Sequence, residues 1–210
     1  MNKNILVIGC SDPEAIRMAD WFAAHGDTVY QNRPDEPLSA EISALDHLDL
    51  LILHTASFES EADAMLPEGG TILQMDDAAA MRDYDRYVCG CFELLEQCLP
   101  QLRKGLKRIC ILTDATCSVR SNPGTGAPSK HIMMAAVNDM VKLFFNRLRP
   151  EGFTFRSYAL TGDPAGVPQG AFPPGAFFSL DFCYDARELP IHNEEERFVL
   201  KDGFLNEIAW

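Results

Sequence analysis

The sequence predicts an α/β fold in which a doubly wound parallel sheet lies between two layers of helices, the three-layer α/β/α arrangement of Rossmann-type domains. Short, continuously apolar segments typical of buried parallel strands alternate with longer segments whose apolar residues recur at helical spacing. Right-handed crossovers between successive strands would place all of them in one sheet. Since no repeat or linker divides the 210 residues, we expect a single domain over residues 1–210.

The elements are predicted in the following order. The first strand, 4–9, is followed by a helix that runs from Pro13, a favourable first-turn residue, to a stop signal at Gly26. Segment 69–74 is interpreted as an extra strand, and the helix after it is predicted to end at Pro100. The other predictions are strands over 28–31, 49–54, 108–113, 153–160 and 197–201, helices over 40–47, 84–99 and 129–148, and an irregular loop over 163–190.

Composition limits the classes of partner. The net charge of −13 disfavours nucleic acid and anionic membrane surfaces, which need patches of Lys and Arg. No stretch has the roughly 18 apolar residues of a membrane span, and the first apolar run is too short for a signal peptide. The seven cysteines show no Cys-x-x-Cys spacing, and Cys89 and Cys91 lack nearby partner ligands for a metal ion. We therefore expect a cytoplasmic protein with reduced thiols and no metal site.

Two motifs stand at informative places. Ser129-Lys130 lies at the start of the long helix 129–148, and a turn from Gly9 to Ala15 follows the first strand. The order and spacing of these motifs and of the predicted elements resemble the short-chain dehydrogenase/reductase family over nearly the whole chain. That resemblance implies a Rossmann-type fold and NAD(P) as the cofactor class. It is carried by the stretches 5–22, 49–56, 85–100, 108–114, 129–162 and 197–210.

The catalytic set of that family, which is Asn, Ser, Tyr and Lys, is reduced in this chain. The resemblance assigns its four positions to Tyr87, Asp114, Gly126 and Lys130, so that only the lysine is retained. In intact family members the lysine lowers the pKa of the tyrosine and holds the nicotinamide ribose. Glycine has no proton to give, and the loss of a general acid removes a factor of about 10²–10⁴ in rate.

Two outcomes remain open for this cleft. In one, Asp114 and Lys130 form an ion pair in a cleft without activity. In the other, a different group replaces the phenol, and Tyr87 is the only tyrosine that the alignment places near the cleft; a carboxylate paired with lysine would be a poor acid at neutral pH. A register shift of a few residues would offer hydroxyls for the role of the serine from Thr113, Thr116 or Ser118.

The candidate cofactor-binding residues are also altered. The three loop glycines of the family correspond to Gly9, Pro13 and Ala15, with Ser11 in the same loop. Pro13 adds a ring and removes an N–H donor where the pyrophosphate should approach the backbone. Two neighbouring carboxylates in the loop would repel a phosphate. The resemblance therefore implies that NAD(P) binds weakly or not at all.

Three further residues complete the candidate site. Asn32 and Arg33 follow the second strand, where a carboxylate usually holds the ribose of NAD; they would suit the 2′-phosphate of NADP, which is slightly favoured. His54 ends the third strand, at the edge of the sheet where ligands bind, and is either a structural histidine or a general acid or base. In this family Lys130 would contact the cofactor as well.

The sequence therefore leads to three hypotheses about function. The first is a protein with the NAD(P)-binding fold but without the Ser-Tyr catalytic pair, acting as a binding, regulatory or partner subunit. The second is an NADP-dependent oxidoreductase with a rewired proton donor, and the third is an isomerase or lyase. The expected partners are a small-molecule ligand and further copies of the chain, as a homodimer or homotetramer formed through helices 85–99 and 129–148.

Overall fold

A computed structural model of the chain describes residues 2–9, 13–55, 58–114, 117–118, 120, 126–161, 198–201 and 207–208. These residues form a seven-stranded sheet in the order β2-β1-β3-β4-β5-β6-β7. All neighbours from β2 to β6 are parallel, and only β7 pairs antiparallel, with β6. The strands are β1 Asn4–Ile8, β2 Thr28–Asn32, β3 Leu50–His54, β4 Arg108–Asp114, β5 Thr154–Thr161, β6 Leu200–Lys201 and β7 Glu207–Ile208. The predicted α/β fold with a parallel sheet is confirmed.

The helices lie between the strands in the chain. A π-helix at Asp85–Cys89 joins α4 and α5, so that the chain is continuously helical from residue 77 to residue 104. Short 3₁₀-helices occur at Ile72–Gln74 and Arg149–Glu151. The α-helices are α1 Pro13–Ala24, α2 Ala40–Ser43, α3 Glu61–Ala64, α4 Asp77–Tyr84, α5 Gly90–Lys104 and α6 Pro128–Leu148.

The core is divided into two clusters by the sheet, as the alternation of side chains along a strand requires. Leu6 and Ile8 of β1 pack on one face with residues of α5 and α6. Ile5 and Val7 of the same strand pack on the other face with Phe22 of α1. Burial of both faces explains why the strands are continuously apolar, and it produces the three layers that the sequence predicted.

Several elements differ from the predictions, among them the helix predicted over 84–99, since the chain is already helical from Asp77. Segment 69–74 is not a strand, because Ile72–Gln74 forms a 3₁₀-helix. The helix predicted to end at Pro100 continues to Lys104, and Leu102, beyond the proline, is fully buried. Helix α2 ends at Ser43 instead of 47, and β6 begins at Leu200, after the buried side chain of Phe198. The loop predicted over 163–190 lies outside the described residues.

Two glycines fix the path of the chain near the strand ends. Gly9 follows β1 with φ of 97°, a conformation that glycine adopts without a steric penalty. At the start of α5, a Cβ atom on Gly90 would clash with the carbonyl oxygen of Pro34, so the glycine allows the segment after β2 to lie against the helix. Among the helices that the described residues form, none combines the length and the apolar character that crossing a bilayer requires.

Candidate functional site

The candidate site lies at the carboxyl ends of β1, β3 and β4. The chain passes from β1 to β2 on one side and then returns to place β3 on the other side of β1. Such a reversal of strand order leaves a crevice at the strand ends, which is where open parallel sheets bind ligands. Gly9, His54 and Asp114 stand at these three strand ends, as the sequence predicted.

The loop after β1 is described only at its two ends. The Gly9 N–H donates to the Asn32 carbonyl at 3.0 Å, so the tight turn after the strand is formed. Helix α1 begins at Pro13, in agreement with the prediction, and Ala15 lies in its first turn. Ser11 lies outside the described residues. The expected loss of the phosphate contacts at Pro13 therefore stays a prediction.

Asn32 and Arg33 are both engaged within the chain. The buried Asn32 amide donates to the carbonyls of Arg33 and Glu36, at 2.8 and 3.0 Å, and so holds the turn after β2. The Arg33 guanidinium pairs with Asp35 at 3.2 Å and lies 3.6 Å from Glu36. The hydrogen bond and the charge of Asp35, aided by Glu36, raise the pKa of Arg33 above its ordinary value. The positive charge is present where it was predicted, but two carboxylates offset it.

The end of β3 is closed to solvent. His54 is 1% exposed and pairs in register with Leu112 of β4. Next to it, the hydroxyl of Thr55 donates to the Leu112 carbonyl at 3.2 Å, which ties the end of β3 to β4. The burial of His54 agrees with a structural role, and its role as an acid or base stays a prediction.

Helix α6 begins two residues after Gly126. Pro128 is its first residue, and Gly126 lies in an exposed bend before it. The N-cap residue, Ala127, has a left-handed conformation and no side chain that can cap the helix. The first turn, which carries Lys130, therefore depends on other parts of the chain for hydrogen-bond acceptors.

Asp63 of α3 supplies those acceptors. One of its carboxylate oxygens accepts from the Ser129 N–H at 2.9 Å, and the other accepts from the Lys130 N–H at 2.8 Å. Pro128 has no N–H to satisfy. A single carboxylate more than sixty residues away in the chain thus caps the turn that holds Lys130.

Asp83 of α4 forms a second, buried link to the same turn. Its carboxylate is 1% exposed and accepts a hydrogen bond from Ser129 at 3.2 Å and one from Ser60 at 2.7 Å. The backbone N–H groups of Glu61 and Ala62 donate to it at 3.0 Å each. Burial raises the pKa of this carboxyl, but the four hydrogen bonds outweigh burial, and the net pKa lies below its ordinary value. Asp83 therefore joins α3, α4 and α6 as a charged group.

Tyr87 lies in the π-helix, a rare local structure that is frequent at functional sites. Its hydroxyl donates to the Glu59 carbonyl at 2.8 Å and accepts from the Glu59 N–H at 3.3 Å. Its ring, which is almost buried, stacks on Phe58 with centroids 4.3 Å apart. The phenol is thus occupied by the backbone that follows β3, and proton donation to a ligand would require it to break these bonds.

Asp114 ends β4 and is half-buried. Its proposed pairing with Lys130 stays a prediction. Thr113 is fully buried and its hydroxyl donates to the Cys117 sulfur at 3.3 Å, while Ser118 is also buried. Of the three hydroxyls considered as substitutes for the serine, Thr116 lies outside the described residues.

The sequence interpretation missed Asp63 and Asp83. A local signal existed for the first, because Ser60 caps α3 and accepts from the Asp63 N–H at 2.9 Å, and a serine three residues before an acidic residue is typical of a helix start. No local pattern shows that Asp63 also caps α6 or that Asp83 is buried, since both depend on how α3, α4 and α6 pack.

Two cavities border these residues. One, of about 680 Å³, lies between Asp63 and Gly126. The other, of about 790 Å³, lies between the segment after β2 and the helical stretch around the π-helix. Its lining includes Asp35 and Asp83 and the guanidinium groups of Arg82 and Arg86, so it is strongly charged.

Solved structures with the same fold come from short-chain dehydrogenases/reductases. A protein from Burkholderia multivorans assigned to that family, with bound NADP, matches with a TM-score of 0.70 at 15% identity, and 100% of each chain is covered. A carbonyl reductase from Pseudomonas aeruginosa PAO1 in complex with NADP matches with a TM-score of 0.70 at 12% identity, again over 100% of each chain. An NADH-dependent reductase complexed with NAD matches with a TM-score of 0.68 at 16% identity, over 96% of this chain and 94% of that one.

Comparison of the sequences alone gives no such match. No protein-family sequence model matches the chain, and no curated protein sequence is significantly similar to it. The likeness is therefore one of fold: the described strands and helices have the Rossmann-type arrangement of the short-chain dehydrogenases/reductases.

Proposed function

We propose that this protein has the short-chain dehydrogenase/reductase fold without the carbonyl-reductase chemistry of that family, and that it acts as a binding, regulatory or partner subunit. The supporting observation is at Gly126, four residues before Lys130, where an exposed bend takes the place of the acidic phenol. The phenol of Tyr87, the only tyrosine that the alignment places near the cleft, is bonded to the Glu59 backbone. A missing general acid lowers the rate by about 10²–10⁴-fold.

The cofactor class that we propose for the crevice is NAD(P), bound weakly or not at all. Solved structures of this fold hold NADP or NAD, and the positive φ of Gly9 retains the first turn of the loop. Pro13, at the start of α1, lacks the N–H that would face a phosphate. The positive charge of Arg33 slightly favours NADP over NAD. This preference is small because Asp35 and Glu36 partly offset that charge. The residues therefore fit the turn of a nucleotide loop but not its phosphate contacts.

Titration with NADPH, followed by the fluorescence of the cofactor, tests this proposal in the wild-type protein. We expect weak or no binding and no turnover of a panel of aldehydes and ketones. Tight binding together with turnover would support the alternative, an NADP-dependent oxidoreductase in which Tyr87 or Asp114 replaces the phenol. Absence of binding at millimolar cofactor would exclude that alternative.

A gain-of-function variant makes the test sharper. Among the described residues, apart from its chain neighbours, no atom lies within 4 Å of a Cβ atom built on Gly126, so the described surroundings leave room for the start of a side chain in Gly126→Tyr. If NADPH binds, the tyrosine should raise carbonyl reduction by about 10²–10⁴ over the matched Gly126→Phe variant, which has the ring without the hydroxyl. Equal rates in the wild type and in Gly126→Tyr would show that the phenol is not what the cleft lacks.

We further propose that the chain self-associates as a homodimer or homotetramer through the outer faces of α5 and α6. Phe92 of α5 and Leu143 of α6 are 46% and 62% exposed, which leaves large apolar side chains on both helices. The compartment that we propose is the cytoplasm, and the free thiols of Cys89, Cys91, Cys98 and Cys117 support a reducing environment.

A further inference from the structure

The cavity of about 680 Å³ between the segment after α3 and the residues before α6 has the features of a small-molecule site. Ligand pockets typically have about 300–1,000 Å³ and a mainly apolar lining with a few polar groups. Leu66, Ile72 and Pro128 supply apolar surface, and Ile72 is 54% exposed. Gly126, the position that the resemblance assigns to the tyrosine of the family, also lines the cavity.

Charge is nearly absent from this cavity. Asp63 is the only charged residue among its described lining residues. Both oxygens of this carboxylate already accept the N–H groups of Ser129 and Lys130, at 2.9 and 2.8 Å. The positive end of the helix dipole lies against the same carboxylate, so the two charges offset each other.

The same contacts close the place where an anion would otherwise bind. A helix N-terminus attracts phosphates and carboxylates because its first N–H groups have no partner within the helix. In α6 the N–H groups of Ser129 and Lys130 already donate to Asp63, and Pro128 has no N–H group. An anion that entered the cavity would meet a carboxylate in place of free donors.

We propose that this cavity binds an uncharged small molecule with both apolar and hydrogen-bonding surface. Asp63 sets this selectivity because it already accepts the N–H groups at the start of α6, where an anion would otherwise bind. The inference rests on the proposed binding role of the protein and names the class of ligand. An anion finds no available donor at this helix end, because Asp63 already accepts the N–H groups of Ser129 and Lys130. A cation gains little, because two N–H groups already compensate the charge of Asp63.

Three probes of the same size and different charge test the proposal: benzamide, benzoate and benzamidine. Amide chemical shifts of the labelled protein locate the site, and titration gives the affinities. Benzamide should shift the resonances of Gly69, Thr71 and Gly126, which line the cavity. It should bind about two- to fivefold more tightly than benzoate, since a charge at a helix terminus is typically worth a factor of that order.

Asp63→Ala should reverse the selectivity, because the N–H groups of Ser129 and Lys130 become available to benzoate. We expect benzoate to bind about fivefold more tightly to this variant than to the wild type, and the affinity for benzamide to change little. Asp76→Ala is the matched control: Asp76 also caps a helix, accepting from the Ala79 N–H at 2.7 Å, but it does not line the cavity. If Asp63→Ala does not fold, Asp63→Asn retains one acceptor oxygen and should show part of the gain.

Three results would overturn the proposal: shifts confined to residues outside the cavity, tighter binding of benzamidine than of benzamide, or no gain for benzoate in the folded Asp63 variant. None of these measurements involves a nucleotide or a turnover. Their failure is therefore distinguishable from a failure of the proposed absence of reductase chemistry, which the NADPH titration measures separately.

Discussion

Replacement of Asp83 by asparagine should destabilise the fold, because this carboxylate accepts four hydrogen bonds at a buried junction of three helices. An asparagine has one acceptor oxygen and one amino group. With its amino group in place of Oδ1, the N–H of Glu61 loses its acceptor, at a cost of about 1–3 kcal/mol. The other three bonds lose their charge assistance, about 0.5 kcal/mol each, so the total is about 3 kcal/mol.

Urea denaturation at neutral pH measures this loss, as a change in the free energy of unfolding. The matched control is Glu61→Gln, which removes a neighbouring carboxylate that pairs with Arg82 at 2.6 Å. Both side chains of that pair are about half exposed, at 46% and 55%, and exposed pairs contribute only about 0–1 kcal/mol. If Asp83→Asn costs no more than Glu61→Gln, the argument that the buried carboxylate organises the junction is wrong.

The pH dependence of the same experiment provides a second check. Because the folded-state pKa of Asp83 lies below its ordinary value, the charged form stabilises the folded state. That contribution is fully present above the unfolded-state pKa of about 3.9 and is lost as the pH falls through the lower, folded-state pKa. The difference in the free energy of unfolding between the wild type and Asp83→Asn should therefore be constant between pH 6 and pH 8, which is about two units or more above the unfolded-state pKa. This difference should shrink below about pH 4. A difference that grows on acidification would contradict the assignment.

Three further predictions follow from the geometry. Tyr87→Phe should lower the free energy of unfolding by about 1–2 kcal/mol, measured in urea, because both groups of the Glu59 backbone lose the hydroxyl; no change would mean that this contact is not formed. Burial raises the pKa of Cys91 and Cys98 to about 12, so a thiol reagent at pH 8 should label the partly exposed Cys89 before these two cysteines. Labelling of Cys91 or Cys98 as early as Cys89 would contradict the packing of α5. Leu143→Glu should shift the protein towards monomer in light scattering, because the exposed leucine lies on the proposed interface; a wild type that is strictly monomeric at high concentration would exclude that interface.

The sequence predicted correctly those elements that residues close together in the chain determine. The apolar runs of β1, β3 and β4 are buried on both faces, which identifies them as parallel strands without knowledge of their neighbours. Gly26 ends the turn after α1 with φ of 87°, as its position after an apolar helical pattern indicated. Pro100 shows the limit of such rules, because it lies inside α5. Burial of Leu102 beyond it keeps the helix against the core, and packing prevailed over the local signal.

The sequence predicted on which elements several candidate residues lie, but not the contacts that these residues make. The sequence placed Lys130 at the start of a long helix, and Gly9 and His54 at strand ends, and all three lie there. It did not show that the Tyr87 hydroxyl is bonded to the backbone after β3, or that two carboxylates surround Arg33. Such contacts join residues from different elements, and no local spacing encodes them.

The sequence by itself determined that this protein has a parallel α/β sheet and that Lys130 has a glycine, and not a tyrosine, four residues before it. Both conclusions depend on residue types at fixed intervals along the chain. The spacing of apolar residues identifies the strands and helices, and a glycine side chain has no proton to donate. Only the tertiary structure decided what supports that lysine. Asp63 and Asp83 reach the first turn of α6 from α3 and α4, across more than forty residues of chain. Their roles arise because folding brings those helix ends together, where a buried or capping carboxylate must find donors.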